Sequence, residues 1–166
     1  MTVELVSIVD ECDSVIGEKP RTQVDYANDI YRVSNLWMTN SDGQILLGKR
    51  SLAKEKDPGC WGAAVSGTVE SNETYHSNIV KEVEEEIGLT GLSLKTGPKQ
   101  FVNLERRFHI QWFLVDKDVS PDDLVVQEEE VDRVEWFEPE ALERDIKTAP
   151  ERFQIYMPTA VKLLMS

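Results

Sequence analysis

The 166-residue chain carries 18 Lys and Arg against 31 Asp and Glu, a formal net charge of −13, with 40% hydrophobic and 30% charged residues. That size and balance suit one globular domain, residues 1–166, with a core of its own. The negative excess argues against a nucleic-acid polymer or an anionic membrane as partner, though a bound divalent cation can still invert the field locally for a phosphorylated small molecule.

In chain order, residues 3–10 and 14–20 read as two short strands joined by an acidic turn, a hairpin. Residues 30–40 and 44–50 flank Ser41-Asp42-Gly43, a good turn signal, and predict a second hairpin. Residues 51–60 form a polar loop punctuated by Pro58-Gly59, which leads into Trp61 and a glycine-containing run. A helix follows and stops at Gly88. Residues 92–118 suggest two or three strands, the clearest at 107–115, and 131–137 another after an acidic loop. Pro139 can open a helix through 140–148. The tail, 150–166, reads as helical with Pro158 as a kink or break. Many strands with one central helix and C-terminal helices predict an α+β sandwich, not a βαβ array. The N-terminus has acids where a signal peptide needs a basic start, and no apolar run approaches the ~20 residues of a membrane span. Cys12 and Cys60 read as free thiols in a reducing compartment, so a cytoplasmic protein is expected.

The central helix poses the chemical question. Ile79, Val83 and Ile87 form a buried stripe, with His76 and Val80 at its edges. Glu82, Glu85 and Glu86, at i, i+3 and i+4, project from a neighbouring face, while Glu84 points elsewhere into solvent. Like charges at that spacing destabilise a helix by roughly 0.2–0.5 kcal/mol per pair, and the macrodipole disfavours anions in a last turn. One explanation is a solvated acidic face. Another is a hard cation such as Mg2+, which prefers oxygen ligands and turns the repulsion into coordination.

The spacing decides between them. Gly67, Glu73 and then Lys81-Glu82-Val83-Glu84-Glu85-Glu86-Ile87-Gly88-Leu89 resembles the Nudix box, Gly-x5-Glu-x7-Arg-Glu-U-x-Glu-Glu-x-Gly-U, where U is a bulky aliphatic residue. Eight of nine fixed positions match; Lys81 stands where the family has Arg. The resemblance implies an α/β/α sandwich with a mixed central sheet and a loop–helix–loop holding Mg2+ or Mn2+ against a small-molecule diphosphate. It implies Glu82, Glu85, Glu86 and the Gly67 carbonyl as metal ligands, Glu73 as a support of the loop–helix geometry, and a homodimer. Lys81 would hold the box glutamates as the family's Arg does, with charge but without the planar fork.

The flanks resemble the subgroup that includes type I isopentenyl diphosphate isomerase and hydrolase-like relatives. That likeness assigns diphosphate contacts to Arg50 and Lys54. It also places Ser66 at the isomerase cysteine and Thr68 and Tyr31 at its histidine positions, so isomerase chemistry is disfavoured and diphosphate hydrolysis expected. A non-catalytic nucleotide-binding Nudix module is the further alternative. His76 and His109, the two histidines, read as structural. For the base that activates water, Glu130 is the first choice and Glu129 the second, with Glu128 beside them and Glu105 weaker. Trp37, Trp61, Phe101, Phe108, Trp112 and Trp136 are candidates to stack a base or line an apolar pocket, against the plainer reading of core.

Overall fold

A computed structural model describes residues 3–165. Strands β1 (Leu5–Val9) and β2 (Val15–Pro20) form the first predicted hairpin. Strands β3 (Ile30–Thr39) and β4 (Ile45–Arg50) turn through Asn40, whose side chain accepts from the Asp42 and Gln44 N–H groups, and Gly43 at φ 76°. This second hairpin is shorter than its sequence suggests: only Met38–Leu46 and Thr39–Ile45 pair before the strands part. They part because other strands claim the edge.

β3 organises the mixed sheet. One edge pairs along its whole length, in parallel, with β8 (Arg107–Asp116), which in turn pairs with β7 (Lys95–Asn103). Its other edge is shared among β1 at Ile30, β6 (Val65–Thr68) at Val33–Leu36, and β4 at the far end. β4 continues the sheet to β5 (Trp61–Ala63) and β9 (Val131–Phe137). The run 61–70 therefore supplies two strands, β5 and β6, to different neighbours.

Side-chain alternation sends the two faces of this sheet into two cores. Val33, Trp37, Ile110 and Trp112 pack against α2 (Pro139–Thr148) and α3 (Met157–Leu164), whereas Leu36, Met38, Phe113 and Val115 pack against α1 (Tyr75–Ile87). Ile79, Val83 and Ile87 are the buried stripe of α1. At about 1.5–3 kcal/mol each, their burial outweighs the repulsion among the neighbouring glutamates. His76 and Val80, expected at the stripe's edges, are exposed. Thr74 caps α1 reciprocally with Ser77, and Gly88 ends it in the left-handed conformation at φ 73°.

The tail departs from its reading. Residues 150–152 form a short 3-10 turn and helix starts only at Met157, so Pro158 lies in the first turn of α3, where it neither kinks nor breaks anything. Ser166 lies outside the described residues.

Candidate functional site

The strand–loop–helix unit from β6 to α1 brings the box residues to one end of the sheet. Glu82, Glu85 and Glu86 all line a cavity of about 300 Å3, together with Ser66, Gly67 and Thr68 of β6. Glu84 is exposed, on the other side of the helix. Gly67 is there because of a close approach: a Cβ on it would stand 2.3 Å from Glu82 Cγ and 2.9 Å from Asn78 Oδ1. Any larger residue would push the Glu82 carboxylate out of its place beside the strand.

The three glutamates differ in environment. Glu85 is exposed, Glu82 is half-buried, and Glu86 is only 5% exposed. Burial raises the Glu82 carboxyl, and the hydrogen bond with Glu86 and the Lys81 charge offset this only in part. Burial also drives Glu86 well above the ordinary carboxylate range, reinforced by the bond to Glu82 and the charges of Glu82 and Glu130, with the Ser66 N–H in opposition. Glu82 and Glu86 are thus a carboxyl pair in which burial and mutual repulsion favour the protonated form over that of two free carboxylates. Among the described residues, no three acidic, histidine or cysteine side chains are already drawn into a metal-holding cluster. The donor set nonetheless fits a hard divalent cation: oxygen ligands, a Glu82–Glu86 pair whose one counter-charge, Lys81, lies no nearer than 3.8 Å, and a glycine cradle that keeps the Glu82 carboxylate against the strand.

Lys81 lies beside this set. Its ammonium stands 2.8 Å from Glu73 and 3.1 Å from Glu70, but 3.8 Å from Glu82. Burial opposes its charge, yet the bonds from Glu73 and Glu70 raise it well above the usual lysine value. Burial would likewise raise Glu73; donation from Lys81, the Glu70 N–H and Asn78 outweighs this and holds that carboxyl below its usual range. The lysine therefore fastens the loop to the helix, and touches the glutamates only at Glu82. Asn78, fully buried, also donates to the Thr68 carbonyl and ties β6 to α1.

The opposite wall is basic. Arg50 and Lys54 line the cavity as the sequence suggests, and Lys54 pairs with Glu130 at 2.7 Å. Arg50 Nε donates to the Lys56 carbonyl at 2.5 Å. Glu130 faces the cavity, whereas Glu128, Glu129 and Glu105 are exposed and do not line it. The structure thus brings the first of the expected bases beside the box and leaves the second outside.

Four further lining residues, Arg21, Tyr26, Lys56 and Arg106, are not singled out by the sequence. They come from the turn after β2, the connection to β3, the loop after β4 and the β7–β8 turn, and share no spacing that could betray them. Of the six aromatic candidates only Phe108 lines the cavity, stacked on Tyr31 with ring centres 5.3 Å apart. Trp37, Trp61 and Trp112 are core, Phe101 stacks on His109, and the Trp136 indole donates to the Val119 carbonyl. His109 is buried against the Asp10 carbonyl, and exposed His76 packs edge-on to Phe113, so neither reaches the cavity. Ser66, Thr68 and Tyr31 do reach it. Cys12 and Cys60 are free thiols outside the lining. No helix among the described residues is long and apolar enough to cross a membrane.

The NUDIX domain profile matches residues 30–157. An uncharacterised Nudix hydrolase of Pseudomonas aeruginosa is 29% identical over 161 residues, 97% of this chain and 91% of that one. A second, from Yersinia pestis, is 31% identical over 140 residues, 84% of this chain and 76% of that one. An isopentenyl-diphosphate Delta-isomerase of Corynebacterium diphtheriae is 26% identical over 164 residues, 93% and 90% of the two chains. A crystal structure from Deinococcus radiodurans superimposes with a TM-score of 0.84 at 25% identity and covers 96% of this chain and 98% of that one.

Proposed function

The chain belongs to the Nudix family, and from that premise we propose that it hydrolyses a diphosphate linked to another moiety, X, with Mg2+ or Mn2+. The observation that carries the reading is the two-sided cavity: Glu82, Glu85, Glu86 and Glu130 line it together with Arg50 and Lys54. Glu82, Glu85, Glu86 and the Gly67 carbonyl would hold the metal. When bound, the metal supplies charge stabilisation at the phosphoryl oxygens and a lowered pKa for an attacking water.

The chain's own side chains account for the rest. Arg50 and Lys54 orient the diphosphate through charge-assisted hydrogen bonds. Glu130, held by Lys54 at 2.7 Å, takes the proton of the attacking water. Glu73 and Lys81 keep the loop registered on α1, so the carboxylates keep their separation from β6. Because folding raises the Glu82 and Glu86 carboxyls, a metal held there would favour their ionised forms, which would couple its occupancy to pH.

Isomerase chemistry is the second reading, prompted by the likeness to the Corynebacterium protein. It protonates a carbon–carbon double bond and needs an acid at the reacting carbon. Ser66, Thr68 and Tyr31 occupy the corresponding wall of the cavity, and neither cysteine lines it. A hydroxyl of ordinary acidity is a poor proton donor there, and burial pushes the Tyr31 phenol up further. The free thiols also support a reducing, cytoplasmic location.

The test is a screen of nucleoside, dinucleotide, sugar and isoprenoid diphosphates with Mg2+ and Mn2+, reading phosphate after coupling to a phosphatase. Metal-dependent release on at least one class, lost in Glu85→Gln, is the expected result. Isomerisation of isopentenyl diphosphate without phosphate release would overturn the reading.

A further inference from the structure

The basic wall of the cavity holds more charge than a diphosphate engaged by Arg50 and Lys54 requires. In a chain with only 18 basic residues, Arg21, Lys56 and Arg106 join those two around the same space. None of the three pairs with a box glutamate. Arg21 leans on Glu4 at 3.3 Å, and Arg106 is fixed by Asp57 of the loop after β4. Lys56 forms no ion pair among the described residues; its ammonium lies over the Tyr26 ring. Burial, and then the charges of Arg106, Arg21 and Arg50, push that ammonium down to about 7. A cation that is half-buried, crowded by three guanidiniums and offset only by the exposed Glu55 carboxylate, with which it forms no ion pair, is costly unless a ligand brings a further anion.

Its position indicates which part of a ligand that is. Arg21, Tyr26 and Lys56, together with Glu4, Arg50 and Lys54, line the inner cavity and also a wider, more open cleft of about 950 Å3 next to it, which is bordered by Val3, Thr22, Ala53 and Glu55, whereas Arg106 lines the inner cavity alone. Glu82, Glu85, Glu86 and Glu130 line the inner space and not the cleft. A substrate whose diphosphate lies at the box therefore reaches this basic junction with the part that leaves towards the cleft. An apolar chain there would leave Lys56 uncompensated and desolvate it further. A dianion would offset it and accept from several donors at once.

Resting on the diphosphate-hydrolase reading, we propose that Lys56 and Arg106, with Arg21 and the Tyr26 ring beside them, form a second anion subsite that binds a phosphate group carried by X beyond the diphosphate at the box. The substrate class is then a polyphosphate or a phosphorylated X, and not a simple prenyl diphosphate. Lys56 and Arg106 determine specificity and take no part in bond cleavage.

Calorimetric titration of the full chain with pyrophosphate and tripolyphosphate, at fixed free Mg2+ and low temperature, tests this. Wild type is expected to bind tripolyphosphate about 10-fold more tightly or better. Lys56→Met and Arg106→Gln should each bring that ratio to within about twofold while pyrophosphate affinity holds, and Lys56→Arg should keep it. Should Lys56→Met fail to fold by circular dichroism, Arg106→Gln carries the same comparison. A ratio near one in wild type, or one that persists in the folded Lys56→Met and Arg106→Gln variants, overturns the subsite. Glu85→Gln separates the two claims. Binding of both anions that keeps its full Mg2+ dependence in that variant overturns the metal reading, while a ratio still sensitive to Lys56 upholds the subsite.

Discussion

The two walls of the cavity are built in opposite ways. The acidic wall comes from one helix, where Glu82, Glu85 and Glu86 are neighbours in sequence as well as in space. The basic wall gathers Arg21, Arg50, Lys54, Lys56 and Arg106 from three separated stretches. The acidic wall is internally repulsive, and burial raises the Glu82 and Glu86 carboxyls above their ordinary range. The basic wall is partly neutralised by Glu4, Asp57 and Glu130, with Arg50 and Lys56 left without an ion pair among the described residues. On the proposed reading, the repulsion on both sides would be relieved by ligands from solution, a cation for one wall and an anion for the other.

The largest expected effects break the acidic wall and its base. Glu130→Gln should lower kcat on whichever diphosphate the screen identifies by about 100- to 10,000-fold with little change in folding. Glu85→Gln should cost about 100- to 1000-fold, as removal of one charge-stabilising group does. Steady-state rates at saturating Mg2+ separate the two: excess metal should restore part of the Glu85→Gln loss and none of the Glu130→Gln loss.

Lys81 sharpens the comparison, since it braces the acidic wall from behind. Because its strong contacts are Glu70 and Glu73, Lys81→Ala should act indirectly, weakening metal affinity by about 10- to 100-fold. Lys81→Arg should recover most of it. A Lys81→Ala chain with wild-type metal affinity would remove the bracing role.

The smallest effect has an unusual sign. Glu86 has its carboxyl pKa raised by folding, so between the unfolded value and the raised one the folded chain holds more protons than the unfolded chain. Its contribution to stability is therefore lost as pH rises through that window. At pH 8 in EDTA, Glu86→Gln should melt about 2–6 °C above wild type, a gain of roughly 1–2 kcal/mol for a chain of this size. Added Mg2+ should raise the wild-type Tm and leave the variant's almost unchanged. Differential scanning calorimetry at pH 5 and pH 8 reads both halves.

The same contrast explains what was legible in the sequence. The box could be read because its residues are consecutive on one helix, at a spacing that fixes which side chains share a face. Strands with local partners, β1 with β2 and β7 with β8, were legible for the same reason. The parallel pairing of β3 with β8 was not, because some 77 residues separate Ile30 from Arg107 and nothing local encodes it. That pairing is also what sets Tyr31 beside Phe108 and brings the β7–β8 turn, with Arg106, to the cavity. Lys56 and Arg106 look like solvated loop charges until the fold converges them. Glu129 illustrates the converse: adjacent to Glu130 and of the same chemistry, it is exposed in the turn that precedes β9, whereas Glu130 lines the cavity.

The most direct measurement is Mn2+ binding to the metal-free chain by calorimetry at pH 6–7, in buffers of different ionisation enthalpy, for wild type and Glu86→Gln. Binding in wild type with release of close to one proton, and far weaker binding without proton release in the variant, is what a cation displacing the proton between Glu82 and Glu86 predicts. Mn2+ that binds both chains equally, with no proton released from either, would contradict it.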